Sequence, residues 1–264
     1  MRTLPRAHHR AAPAPADQAG RLLGLLGVYP GPSAAMGSVA ALAGVSRPVA
    51  RAAVARLAAD GLVDTVGGRV VVPDRLRAAT ADDAQTRAAR GRLLQHLLTR
   101  ASAAAAVAAP DGPAVALPPF RSAAGARSWL VAELPTLLAV PDPDFALRLA
   151  PALGEHLPDA DALVLYQRAA AGGDPQMRLR LGLTLCRLGR HGAAAEHLRA
   201  ALPRLDQPAD RSTALLHLAG CRERQGRRVE ALAWYAEAYE ACLRAGDQVG
   251  RSAALRRLRT RAAA

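Results

Sequence analysis

The chain has 264 residues and a formal net charge of +13, and all 35 of its basic residues are arginine. The absence of lysine excludes Schiff-base chemistry and a lysine-bearing phosphate loop. Isoleucine and asparagine are absent as well. Because these three residues need AT-rich codons, we infer a gene of very high GC content, which explains part of the arginine excess. Three cysteines without C-x-x-C spacing indicate neither a disulfide framework nor a zinc site, and a cytoplasmic location fits them best.

The N-terminal part of the chain divides into a tail and a small domain. Residues 1–16 are rich in arginine, proline and alanine, which predicts a disordered basic tail. Residues 17–80 are predicted to form three helices followed by two short β runs around Gly67-Gly68. The third helix has Ser46 as its N-cap and is closed by Gly61. Its predicted buried face consists of Ala50, Ala53, Val54 and Leu57. This order of elements is typical of a winged helix.

Residues 81–140 are predicted to be a helical linker. One or two helices are predicted within 74–108, with an apolar stripe at Leu93, Leu94, Leu97 and Leu98. Another helix is predicted from residue 122 or 123 to residue 140. Pro135 is expected to kink or split it, because proline removes an internal hydrogen bond and clashes with the preceding turn.

The region 141–264 contains a repeated helical hairpin. Residues 177–202 and 211–240 each show two amphipathic helices, and their turn glycines, Gly189 and Gly226, lie 37 residues apart. Glycine suits such a turn because a left-handed backbone costs it nothing. Residues 144–174 are a degenerate copy without the turn glycine, and 250–262 are predicted to form a capping helix.

The period and the pattern of small and aromatic residues resemble the tetratricopeptide repeat. That resemblance implies a short α-superhelix, since one hairpin cannot bury its apolar face alone. It also implies a concave face lined by the first helix of each hairpin. The predicted groove residues are Gln176, Leu179, Leu183, Arg187, Thr213, Leu216, Glu223 and Arg224.

Two wider resemblances disagree about the winged helix. The stretch ALAGVSRPVARAAVARLAADGLVDTVGGRVVV is similar to bacterial GntR-type repressors, whose corresponding helix enters the DNA major groove. Residues 20–250, taken block by block, resemble the C-terminal half of actinobacterial STAND/NB-ARC regulators of the antibiotic-regulatory type. Those regulators carry a His-Asp pair after the wing where this chain has Pro73-Asp74, and they carry a phosphate loop that this chain lacks. No nucleotide switch is therefore expected.

No catalytic, cofactor-binding or metal-binding constellation is found, so the protein is predicted not to be an enzyme. No apolar run approaches the roughly twenty residues of a membrane span, and no membrane partner is predicted. Two candidate binding surfaces follow. In the repeat groove, Arg187 and Arg224 are predicted to hold an acidic or C-terminal peptide group; alternatively, the groove is shallow and covered by the linker.

The second candidate surface is the winged helix, with Arg47 and Arg51 exposed on one face and Arg69 at the tip of the wing. The alternative for this domain is a packing module without DNA contact. The predicted function is a regulatory or adaptor protein that binds a protein or peptide through its repeats. The alternative is a DNA-binding transcriptional regulator whose repeats sense a peptide or dimerise; the oligomeric state is left open.

Overall fold

The structure, a computed structural model, describes residues 15–78, 83–109 and 119–262. Within these residues the chain is mainly helical, as predicted, with thirteen α-helices and one small antiparallel sheet. Residues 1–14 of the predicted tail and residues 110–118 of the predicted linker lie outside the described residues. No helix in the described part has the length and apolarity needed to cross a membrane.

The chain forms two compact units. The first comprises residues up to 100 together with 131–139, and the second comprises 101–130 together with 140–264. The segment predicted as a linker is thus shared between the units. The helices are α1 Pro15–Leu26, α2 Met36–Ala43, α3 Arg47–Ala59, α4 Asp74–Ala78, α5 Ala84–Ala108, α6 Ala123–Ala139, α7 Pro143–Leu153, α8 Asp159–Ala171, α9 Pro175–Arg187, α10 His191–Ala201, α11 Pro208–Arg224, α12 Arg228–Ala245 and α13 Gln248–Ala262.

Helix α3 forms as its sequence predicts. The four residues assigned to its buried face are the four that are buried. Gly61 follows the helix with φ of 67°, and the next amide bonds back to Leu57, which closes the last turn. Ser46 occupies the N-cap position, but its side chain makes no capping hydrogen bond.

The sheet has one strand more than the sequence indicated. Strands β2 (Asp64–Val66) and β3 (Arg69–Val71) form the expected hairpin, with both turn glycines at positive φ. Strand β1 (Ser33–Ala35) pairs antiparallel with the other edge of β3, so that β3 is central. Three residues are too few to show a period-two pattern, which is why this strand was not predicted.

Helix α6 runs through Pro135 without a break, so Pro135 does not split the helix, the second of the two expected outcomes. Its C-terminal half carries a buried acid in the first unit: Glu133 is 0% exposed. Arg69 Nη1 donates to this carboxylate at 2.5 Å, and Tyr29 Oη donates to its other oxygen at 3.2 Å. Burial, and then the charge of Glu133, raise the pKa of Tyr29 to about 12. The ion pair therefore ties α6 to the sheet.

In the second unit, helices α7 to α13 pack in sequence, each against the next. Helix α11 also contacts α9 and α13, the helices two places before and after it. The two glycine turns have the same geometry: Arg190 N bonds to Leu185 O, and Arg227 N bonds to Arg222 O, both at 2.9 Å. Each bond in the second turn is that of the first shifted by 37 residues. The turn prediction is confirmed at both glycines, with φ of 72° and 76°.

Small residues allow the paired helices of each hairpin to approach closely. In the first, Gly182 of α9 faces the fully buried Leu198 of α10, and a Cβ at Gly182 would lie 2.7 Å from Leu198 Cγ. In the second, Ala219 packs in one cluster with Tyr235. Leu198 and Tyr235 are 37 residues apart, as are positions 182 and 219. The same small-against-large contact is thus repeated in consecutive hairpins.

Candidate partner-binding groove

The first helices of consecutive hairpins, α9 and α11, border a concavity of about 300 Å³. We call it the α9–α11 groove. Residues from α10, α12 and α13 complete its wall. The groove is lined by Cys186, Arg187, His191, Leu216, His217, Gly220, Cys221, Glu223, Arg224, Tyr235 and Arg257.

The structure brings four of the eight predicted groove residues into this one concavity: Arg187, Leu216, Glu223 and Arg224. Leu183 lines an adjoining concavity, also of about 300 Å³, to which Arg187 belongs as well. The remaining three residues are engaged elsewhere.

Leu179, Gln176 and Thr213 line neither concavity. Leu179 is only 3% exposed and belongs to the core. Gln176 Nε2 donates to Asp210 Oδ2 at 2.6 Å, and Thr213 Oγ1 donates to the carbonyl of Ala209 at 2.9 Å. Leu179 thus does not face the groove as predicted, because its side chain is buried in the core.

The arginines of the groove outnumber its single acid. Glu223 accepts a hydrogen bond from Tyr235 Oη at 2.9 Å and pairs with Arg257 at 3.5 Å, so its charge is already balanced. Arg187 Nε pairs with Asp159 Oδ1 at 2.7 Å, and the Arg187 side chain is exposed. Arg224 lies exposed at the rim. The groove therefore keeps an excess of positive charge.

Two histidines and two cysteines complete the chemistry of the groove. Burial, and then Arg187, lower the pKa of His217, which is therefore neutral at pH 7. Cys186 Sγ and Cys221 Sγ lie 3.1 Å apart, and His191 Nδ1 lies 4.0 Å from Cys221 Sγ. The repeat pattern also placed Cys186 on the groove face, but the three cysteines were otherwise interpreted as separate, small buried side chains. Their contact becomes visible only when α9 and α11 lie side by side.

The two thiols differ in acidity. The hydrogen bond shared with Cys186, and then His191 and Arg222, lower the pKa of Cys221 to about 6 despite its burial. The same hydrogen bond, and burial, raise the pKa of Cys186. The contact between the two sulfur atoms thus favours a single proton shared by the pair.

The arginines predicted for the winged helix lie in different settings. Arg47 and Arg51 are exposed on α3, and Arg47 Nη2 would lie 2.8 Å from a Cβ at Gly37. Arg69 does not project outward from the tip of the β2–β3 hairpin, as was predicted; its side chain is directed inward. Its Nε donates to Ser33 Oγ at 2.9 Å, and its Nη1 bonds to Glu133.

A second group of basic side chains lies near Arg47. Burial, followed by the charges of Arg100 and Arg47, lowers the pKa of His96 to about 4. Arg100 in turn has its pKa lowered by burial and by Arg47. The exposed face of α3 thus adjoins further basic groups in the first unit.

Among the described residues, no cluster of three or more His, Cys, Asp or Glu side chains could hold a metal ion. No family model, curated protein or solved structure with which we compared the chain matches it.

Proposed function

We propose that this chain is a non-catalytic regulatory or adaptor protein that binds an acidic segment of a protein partner in the α9–α11 groove. The observation that carries the proposal is the exposed Arg224 in one concavity with Arg187, which is paired with Asp159 at its Nε, and with a single, already paired carboxylate. Arginine forms bidentate, charge-assisted hydrogen bonds with carboxylates. A peptide carboxylate is therefore the ligand that this groove suits best.

The proposal includes a tetratricopeptide-like arrangement of the hairpins. It is supported by turns that repeat their hydrogen bonds at a spacing of 37 residues and by the additional packing of α11 on both α9 and α13. Such stacking places the first helices next to one another and creates an extended binding face. A relation to the STAND/NB-ARC regulators remains a prediction from sequence alone.

The binding proposal can be tested by selection from a displayed library of random peptides with free C-termini, with the full chain as bait. Selected peptides should be enriched in Asp and Glu near the terminus. Arg187→Gln combined with Arg224→Gln should abolish this enrichment. Arg199→Gln combined with Arg244→Gln is the matched control. These two exposed arginines lie on α10 and α12, the second helices of the hairpins, and their replacement removes the same charge. Equal enrichment with both double variants would contradict the proposal.

DNA binding by a winged-helix domain is the second candidate, favoured by the exposure of Arg47 and Arg51 one turn apart on α3. A mobility-shift assay with a mixed-sequence duplex tests it. Binding should weaken with salt, by about 0.9 in log affinity per log salt for each phosphate neutralised. Arg47→Ala combined with Arg51→Ala should reduce that slope, whereas Arg199→Ala combined with Arg244→Ala should not. Absence of a shift at about 50 mM salt would remove this candidate.

A further inference from the structure

The α9–α11 groove contains two cysteines from consecutive hairpins whose sulfur atoms touch. Cys186 lies in the last turn of α9, and Cys221 lies in α11. Their Sγ atoms are 3.1 Å apart, about 1 Å longer than a disulfide bond. Closing the bond requires the two sulfur atoms to approach by about 1 Å. Both residues line the groove, where Cys186 is partly exposed and Cys221 is 2% exposed.

The surroundings favour a negative charge on this pair. Arg187 and Arg224 lie in the same concavity, and His191 Nδ1 lies 4.0 Å from Cys221 Sγ. Reactive cysteines in proteins occur in such electropositive settings, where the thiolate is stabilised. Cys242 offers the contrast within the same chain: it is buried like Cys221, but its sulfur lies 3.7 Å from the Asp247 carboxylate, whereas Cys221 lies beside His191.

We propose that Cys186 and Cys221 are a redox-active thiol pair, which a hydroperoxide oxidises to a disulfide that joins consecutive hairpins. The Cys221 thiolate attacks the peroxide: an S–O bond forms, the O–O bond breaks, and the departing alkoxide takes a proton from water. Cys186 sulfur then attacks Cys221 sulfur, and the S–O bond breaks as water leaves with the Cys186 proton. Two thiols lose two electrons, and the peroxide is reduced to alcohol or water. The inference does not depend on the proposed peptide partner.

Hydrogen peroxide added to the reduced full chain is the direct test, followed by alkylation, trypsin and mass spectrometry. We expect a linked pair of peptides, 181–187 and 212–222, that is lost on treatment with dithiothreitol. The peptide 229–244, which carries Cys242, should remain alkylated. Equal oxidation of all three cysteines, links only between different chains, or no link would each overturn the proposal.

Two variants separate the roles of the thiols without requiring a change of fold. Cys186→Ser should leave a sulfenic acid on Cys221 that dimedone traps, because the thiol that would displace water is gone. In the Cys221→Ser chain, Cys186 should be oxidised at least tenfold more slowly than in the wild type at the same peroxide concentration. Cys242→Ser serves as the matched control and should react as the wild type does. Reaction of Cys186 at the wild-type rate in the Cys221→Ser chain would contradict the assigned order.

Discussion

The contact between Gly182 and Leu198 gives a sharp test of how the paired helices pack. An alanine Cβ at position 182 would lie 2.7 Å from Leu198 Cγ and 3.4 Å from the Ala194 carbonyl. Non-bonded carbons prefer about 3.5 to 4.0 Å, so the added methyl group would overlap its neighbour by about 1 Å. Leu198 is fully buried and cannot swing aside.

The expected loss follows from two opposing effects. Overpacking a core by one methyl group costs about 1 to 3 kcal/mol. Replacing glycine by alanine inside a helix returns up to about 1 kcal/mol. With that gain subtracted, Gly182→Ala should lower the free energy of unfolding by up to about 2 kcal/mol. Gly220→Ala is the matched control, because its Cβ would meet only Tyr235 Oη at 3.8 Å, and it should gain about 1 kcal/mol.

Urea unfolding in a Trp129→Phe background would measure this loss, since Trp234 is then the one tryptophan and reports the repeat region. Leu198→Ala alone should cost about 2 to 5 kcal/mol. In the Leu198→Ala chain, Gly182→Ala should become stabilising, because the added methyl group enters the space that the leucine side chain vacated. A Gly182→Ala chain as stable as the Gly220→Ala control would refute the described approach of α9 and α10.

Two further predictions concern the first unit, and both are read from urea unfolding followed by circular dichroism. Glu133→Gln should cost about 2 to 3 kcal/mol, because it leaves the 24%-exposed Arg69 side chain without its counter-charge; Asp74→Asn, at a 99%-exposed carboxylate, should cost under about 0.5 kcal/mol. Equal losses would contradict the buried pair. Burial and two arginines lower the pKa of His96 from 6.5 to about 4, so His96 binds a proton more readily in the unfolded chain than in the folded protein. The stability it contributes above pH 6.5 should be lost as the pH falls towards 4. His96→Gln should flatten that limb, and an unchanged pH profile would contradict the assignment.

Local signals were sufficient for the hairpins. Gly189 and Gly226 specify their turns through positive φ, a property of single residues. The buried face of α3 followed from helical periodicity in the same way. Strand β1 could not be predicted, because its formation depends on pairing with β3 almost forty residues later in the chain. Pairing over such a distance leaves no mark in a three-residue segment.

The candidate site was predicted only in part for a related reason. The repeat register correctly predicted that Arg187 and Arg224 share a face, and both line the groove. Leu179 was assigned to the same face, but it packs inside. Register alone also misses the thiol pair, because Cys186 and Cys221 are 35 residues apart and occupy different positions of the repeat. Arg69 and Glu133 likewise meet only through tertiary packing.

The central claim is that the α9–α11 groove binds acidic peptides through its arginines. The most direct measurement is the fluorescence anisotropy of one selected acidic peptide, and of a second version with its acidic residues replaced by arginine, titrated with wild-type and Arg224→Glu chains. We predict that Arg224→Glu weakens binding of the acidic peptide at least tenfold and strengthens binding of the arginine version. Unchanged affinity of both chains for both peptides would contradict the account.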